Sequence, residues 1–434
     1  MLSSVSAITP PNDNVSVIGG NKSNTPVSAA SRTSEAIISD QTMQVICAWS
    51  KGNVGDSNQC AGIKAALTSA LSASAKVASQ SLELVNSSSQ TKAEQLEAAC
   101  AGWVDKLNNR ELEKVVFILA GSGECLASTL GADANRHPSF ISVFTGHQFS
   151  LDLKHAANLP QITALPKSLT INPEDRAQME RKTRLVLVSG VAHQISAQTI
   201  SDTVNDYKSK GYKQIPFIDS NTIAVILGGD APDESGQQKL FSENNARELA
   251  RQIASLEMSE RTSCKVIVTN GPRTGKFDGN GQEMQPNPHR TGEVDAVSRA
   301  FVDELKHMDG VEVHLFDFQF ERKPSAYMPI LDAFQKAGSH AGHVHVPGES
   351  VSMVSEVTSL IPDNVVIDKI SSMNDSHQKF VDQVVANTGA AVLKGDGSLL
   401  LASSSAHKSA NPSASEQIAG AIIEEINASA EKVG

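Results

Sequence analysis

The sequence predicts an α/β protein made of two successive Rossmann-like, doubly wound halves with a ligand cleft between them. Three observations carry this. Runs such as residues 115–120 and 222–227 are apolar throughout, as strands covered on both faces of a parallel sheet are. Segments of helical periodicity separate these runs. Glycine-rich turns follow several of them, and the whole pattern restarts near residue 222.

In chain order, residues 1–42 are rich in Ser, Thr, Asn, Pro and Gly and read as a flexible tail. Residues 43–49 are the first strand, running into Ser50-Lys51-Gly52-Asn53-Val54-Gly55-Asp56. The spacing of Ile63, Ala66, Leu67, Ala70 and Leu71 predicts a helix from residue 58 to about residue 73, with helical patterns continuing to residue 112. Strands follow at 115–120, 140–144, 161–165 and 184–189. The second half opens on strand 222–227 and the turn Gly228-Gly229-Asp230, then helix 242–258. Strand 265–269 ends in Asn270-Gly271-Pro272-Arg273-Thr274-Gly275, and residues 276–291 read as a mobile loop. Helix 295–308, strand 311–316 and helix 328–337 come next. Strand 342–346 turns through Pro347-Gly348-Glu349 into helix 352–360. Residues 364–367 and 390–393 are the last strands. A Ser-rich linker spans 403–412. The final helix, 415–430, has an apolar face of Ile418, Ala421, Ile422 and Ile426 expected to pack back on the first half. The expected organisation is a tail over 1–42, domains over 43–214 and 215–402, and linker plus helix over 403–434.

Composition narrows the function. Asp and Glu number 48 against 37 Lys and Arg, a net charge of −11. Such a chain lacks the basic face that nucleic acids require. Five cysteines without a C-x-x-C pair argue against a disulfide scaffold or a zinc site. No apolar run is long enough to span a membrane, and the first residues lack a secretory leader pattern. The expected location is the cytoplasm, at most peripheral to a membrane.

Open parallel sheets bind ligands at the carboxyl ends of their strands. The turns at Gly52 and Gly55, at Gly228 and Gly229, and at Gly348 all stand there. Each leads toward a helix whose N-terminal N–H groups suit an anion such as a diphosphate. Arg273 and Thr274 follow a strand, and arginine pairs well with phosphate. Asp56 reads either as a general base or as a helix cap. Gly121-Ser122-Gly123 begins a dinucleotide fingerprint but Leu126 stands where its third glycine belongs. Gly348-Glu349-Ser350-Val351-Ser352 partly matches a hydrolase nucleophile elbow, with Asp368 or Asp375 and His377 or His407 in the required order. His343 and His345 share a strand face, without further metal-ligand spacing around them.

Taken in order, several segments resemble the plant mitochondrial-fission family named for elongated mitochondria, with its bacterial relatives. They are Trp49-Ser50-Lys51-Gly52-Asn53-Val54-Gly55-Asp56-Ser57-Asn58-Gln59, Val188-Ser189-Gly190-Val191-Ala192-His193, Ala224-Val225-Ile226-Leu227-Gly228-Gly229-Asp230, and Glu349-Ser350-Val351-Ser352-Met353-Val354-Ser355-Glu356. The family usually has Asp where Glu349 stands, Ser-Arg-Arg-Thr where this chain has Gly271-Pro272-Arg273-Thr274, and Asn-Pro-Tyr near Tyr327.

The resemblance implies a GT-B-like fold and a nucleotide-diphosphate sugar held mainly by the second domain. Ser350 and Ser352 would sit by the diphosphate, and Glu356 would hold the ribose hydroxyls. The implied activity is glycosyl transfer, with the nucleotide sugar as donor substrate and no other cofactor. No D-x-D motif is present to hold a metal, so the helix start at Ser350 and Arg273 would stabilise the leaving diphosphate. Asp56 is the first candidate base toward the acceptor and His147 the second. A second reading is a non-catalytic recruiter of a dynamin-like or other partner protein at a membrane surface. A third is a serine hydrolase using Ser350.

Overall fold

The computed structural model describes residues 42–51, 53–71, 76–121, 124–134, 137–146, 157–169, 171–233, 237–259, 261–388, 390–400 and 412–431. The tail before residue 42, Gly52, His147, His407 and the Ser-rich linker up to residue 411 lie outside them.

The first half is a sheet of β1 (Thr42–Ser50), β2 (Lys76–Leu84), β3 (Lys114–Ala120), β4 (Phe140–Thr145), β5 (Ile162–Pro166) and β6 (Arg184–Val188), in the order β2-β1-β3-β4-β5-β6. Every neighbouring pair is parallel. The second half begins with β7 (Thr222–Ile226), and a small hairpin of β8 (Ala231–Pro232) and β9 (Gln238–Lys239) stands apart. Its sheet continues with β10 (Cys264–Thr269), β11 (Val311–Phe316), β12 (Val344–Pro347), β13 (Val365–Asp368), β14 (Ala391–Leu393) and β15 (Leu399–Leu400). The order is β11-β10-β7-β12-β13-β14-β15, parallel except for the β14–β15 pair. Each half is thus a Rossmann-like, doubly wound sheet, as the apolar runs predict. Strand order reverses between β1 and β3 in one half and between β7 and β12 in the other. At such switch points a crevice opens outside the carboxyl ends of the strands.

The central strands β3 and β7 are buried at every position, and Phe117 stacks on Phe140 with ring centroids 6.0 Å apart. The structure corrects two expectations here. Residues 76–84 form strand β2, not helix. This edge strand is mostly exposed, with Leu84 its one buried position, so its alternation of small and polar residues carries no apolar run. Lys92–Asn108 is helical, with a capping box between Thr91 and Glu94. The loop at 276–291 is also tied down. His289 is fully buried within it, and Phe277 bridges Glu283.

The helix Ala414–Glu431 packs on the helix Val54–Ala70 and buries Ile418, Ala421, Ile422 and Ile426. Lys114 at the start of β3 donates from Nζ to the Ile426 carbonyl at 3.0 Å. Arg184 of β6 pairs with Glu424. None of the described helices is long and apolar enough to cross a membrane.

Candidate functional site

At the β1–β3 switch point, the helix Val54–Ala70 starts earlier than its periodicity predicts. Its N-cap is Asn53, whose Oδ1 accepts from the Asp56 N–H at 3.2 Å. Asp56 therefore stands in the first turn, where a carboxylate favours the helix dipole. Its side chain is almost wholly buried. Asn53 Nδ2 donates to Asp56 Oδ2, while Oδ1 is buried with no hydrogen-bond partner. Burial raises the Asp56 carboxyl to about 6, against the opposing hydrogen bond from Asn53. Gly121, at the end of β3, has φ +122° and lies against the Asp56 carboxylate, where a Cβ would collide with it. Asp56 thus belongs to the capped first turn and holds a half-satisfied carboxyl. Gly55 is uncrowded, with only Asn53 Oδ1 at 3.5 Å from a notional Cβ.

At the β7–β12 switch point, three segments converge: the Gly228-Gly229 turn, the Arg273-Thr274 turn, and the start of the helix Val351–Leu360. Glu349 ties them together. Its Oε1 accepts the Gly229 N–H at 3.0 Å and lies 3.5 Å from Arg273 Nη2. Its Oε2 is buried without a partner. Thr274 donates its hydroxyl to the Gly228 carbonyl at 2.9 Å and is itself buried, so it braces the two turns. Arg273 keeps nearly half of its side chain exposed, at 47%. Ser350 is the N-cap of the helix, and its side chain makes no capping hydrogen bond. Ser352 is half-buried in the first turn. Glu356, one turn further, accepts from the Tyr327 hydroxyl at 2.7 Å. Burial raises its carboxyl to about 7, against the Tyr327 hydrogen bond.

A polar platform lies under the Arg273 turn. His289 Nε2 is 2.7 Å from the Thr274 carbonyl and Nδ1 is 3.2 Å from that of Phe318. Asp295 and Asp317 stand beside His289 as a group that could hold a metal. Their four carboxylate oxygens already have donors: Ser298 N and Asn270 Nδ2 for Asp295, Asn270 Nδ2 and Gln319 Nε2 for Asp317. The Asn270 amide sits between the two carboxylates and donates to both.

His343 and His345 do share a face, and both reach the Glu257 carboxylate, at 2.6 and 3.2 Å. His345 also lies 2.8 Å from Asp368. That buried pairing engages Asp368 with His345 rather than with Ser350, and His377 Nδ1 accepts the Asn374 N–H. Glu349, Tyr327, Gly121 and the His289 platform were not among the sequence-derived site residues. An acid directly after Gly348, in a turn from a strand into a helix, is the signal that marks Glu349.

The chain thus folds as two successive Rossmann-like, doubly wound α/β halves. No family model matches the chain, and no curated protein does. Solved structures to which it is similar include UDP-GlcNAc 2-epimerase from Neisseria meningitidis bound to UDP-GlcNAc, at 10% identity over 88% of this chain and 91% of that one, with TM-score 0.45. A second is trehalose-6-phosphate from E. coli bound with UDP-2-fluoro glucose, at 10% identity over 90% and 98%, with TM-score 0.38. At such values the likeness concerns chain architecture and says nothing of individual residues or ligands. Membership of the elongated-mitochondria family finds no support in these comparisons.

Proposed function

We propose that the protein binds a nucleotide-diphosphate sugar between its halves and transfers the sugar to an acceptor hydroxyl, with no metal and no cofactor besides the donor. One observation carries the reading. The Gly229 N–H and the Arg273 guanidinium converge at the switch point on a single carboxylate oxygen, so the donors that would hold a phosphate already hold an anion. Ser350, with its hydroxyl free of capping, and the first N–H groups of its helix extend that surface. These groups and Arg273 would stabilise charge on the leaving diphosphate. Asp56 is the base toward the acceptor, its raised carboxyl suiting proton transfer near neutral pH. His147 is the alternative.

Calorimetry against UDP, UDP-glucose, UDP-GlcNAc and their GDP counterparts tests this. At least one should bind, and Arg273→Ala should weaken it by about 10-fold or more, as loss of a charge-assisted hydrogen bond does. Transfer should survive a chelator. Absence of binding by every nucleotide to folded protein would overturn the reading. In that event the partner-recruiting role would be the reading to test, by pull-down.

A further inference from the structure

Glu349 is the unexpected member of the anion site, and its two oxygens differ. Oε1 takes the Gly229 N–H and faces Arg273. Oε2 has no donor, and the side chain is only 2% exposed. The cradle is built around it. A Cβ on Gly228 would meet Ile370, Pro347 and Glu349 Oε2, so glycine leaves the room that the carboxylate fills.

We propose that Glu349 is an internal occupant of the anion subsite, and that a phosphate group enters only as Glu349 takes up a proton and releases Gly229 and Arg273. The inference rests on the nucleotide reading and adds the condition under which the subsite opens.

The charges support it. Among the described residues, the charged groups that face Glu349 are Arg273 from the turn after β10 and Asp230 from the turn after β7. Asp230 is buried and accepts the N–H groups of Phe241 and Phe277. With Glu349 and Asp230 ionised against one arginine, the subsite carries a net negative charge before any phosphate arrives. An ionised carboxylate with a buried, unpartnered oxygen is also costly. Burial, with Asp230 beside it, pushes the Glu349 carboxyl up, against the pull of Arg273, the Gly229 N–H and its own backbone N–H. A proton from solvent on Oε2 removes the charge. The same atom then becomes an O–H donor that can face a phosphate oxygen, while Gly229 and Arg273 turn to the ligand.

UDP-GlcNAc is the probe, because its two phosphates stay ionised throughout the neutral range. Affinity is measured by calorimetry from about pH 5.5 to about pH 8.5, in buffers of different ionisation heat. In the unmodified protein, binding should take up one proton and weaken by about tenfold per pH unit above the Glu349 titration, as linkage requires. Glu349→Gln keeps an acceptor for Gly229 but no charge. It should bind without proton uptake, with a flat profile, and about 10-fold or more tighter at the alkaline end. Glu356, raised to about 7, titrates inside this pH window, so the slope must persist in Glu356→Gln. UDP-GlcNAc binding with no proton uptake and a flat profile in the unmodified protein overturns the proposal and leaves the nucleotide reading standing, as does a slope that vanishes in Glu356→Gln instead. The absence of nucleotide binding by both the unmodified protein and Glu349→Gln at every pH overturns both. The proton count is read on the unmodified protein and does not depend on the variant folding.

Discussion

The Ser415 hydroxyl accepts the backbone N–H of His193 at 3.1 Å and donates to the carbonyl of the same residue at 3.0 Å. One side chain on the last helix thus satisfies both main-chain groups of a residue just beyond β6. The same segment meets the second half. Val191 donates its N–H to Ser355 Oγ at 3.2 Å, and His193 Nε2 lies 3.4 Å from Ser359 Oγ. The helix Val351–Leu360 therefore rests its flank on the first half, and the last helix locks the loop it rests on.

Ser415→Ala should leave both buried groups of His193 unsatisfied, at a cost of roughly 2–4 kcal/mol for the pair. Urea denaturation reads the loss. Faster amide exchange at Val191 and His193 should accompany it. An unchanged midpoint would show that the helix docks through its apolar face alone.

Stability should fall as pH rises through the titration of His345. The imidazole lies between Asp368 and Glu257, and their charges and hydrogen bonds outweigh burial to raise it to about 9. Its folded value lies above the ordinary 6.5, so the contribution is complete below about 6.5 and is lost by the time pH passes about 9. The loss amounts to roughly 3 kcal/mol by linkage. Urea midpoints between these limits measure it, and the decline should flatten in His345→Gln.

Asp56→Asn should separate fold from function. Burial raises this carboxyl, so the folded state binds the proton more tightly than the unfolded chain. Stability contributed by Asp56 therefore rises as pH falls through about 6 toward 3.8. The neutral amide should accordingly stabilise the protein at pH 8, by about 1–2 kcal/mol, while transfer drops by about 10²-fold or more. Full transfer in the variant would leave Asp56 with its capping role only. Gly121→Ala, with φ +122° and a Cβ driven into the same carboxylate, should destabilise by about 2 kcal/mol or more.

His289→Ala should release the loop it anchors. Its two ring nitrogens reach the carbonyls of Thr274 and Phe318, and both lose that partner in the variant. Limited proteolysis should then cut near Lys276 or Arg290 at least several-fold faster. Unchanged protection would mean that Asn270 and Asp295 hold the turn without it.

Periodicity and apolar runs are local properties, and they determined the two sheets, the restart at β7 and the glycine turns at strand ends. Strand β2 escaped because an edge strand needs no apolar face to be half-covered. The early start of the first helix escaped because Asn53 caps it from within a turn. What only the tertiary structure decided is which buried groups meet. Glu349 holds Gly229 across 120 residues of sequence, and Glu356 holds Tyr327 across 29. Asp368 serves His345 and not Ser350. A buried carboxylate must find a donor wherever the fold brings one, and no spacing along the chain encodes that choice. Local pattern marked the glycine turns at the strand ends, which the fold brings together with Arg273. That Glu349 sits between those turns is a fact of packing.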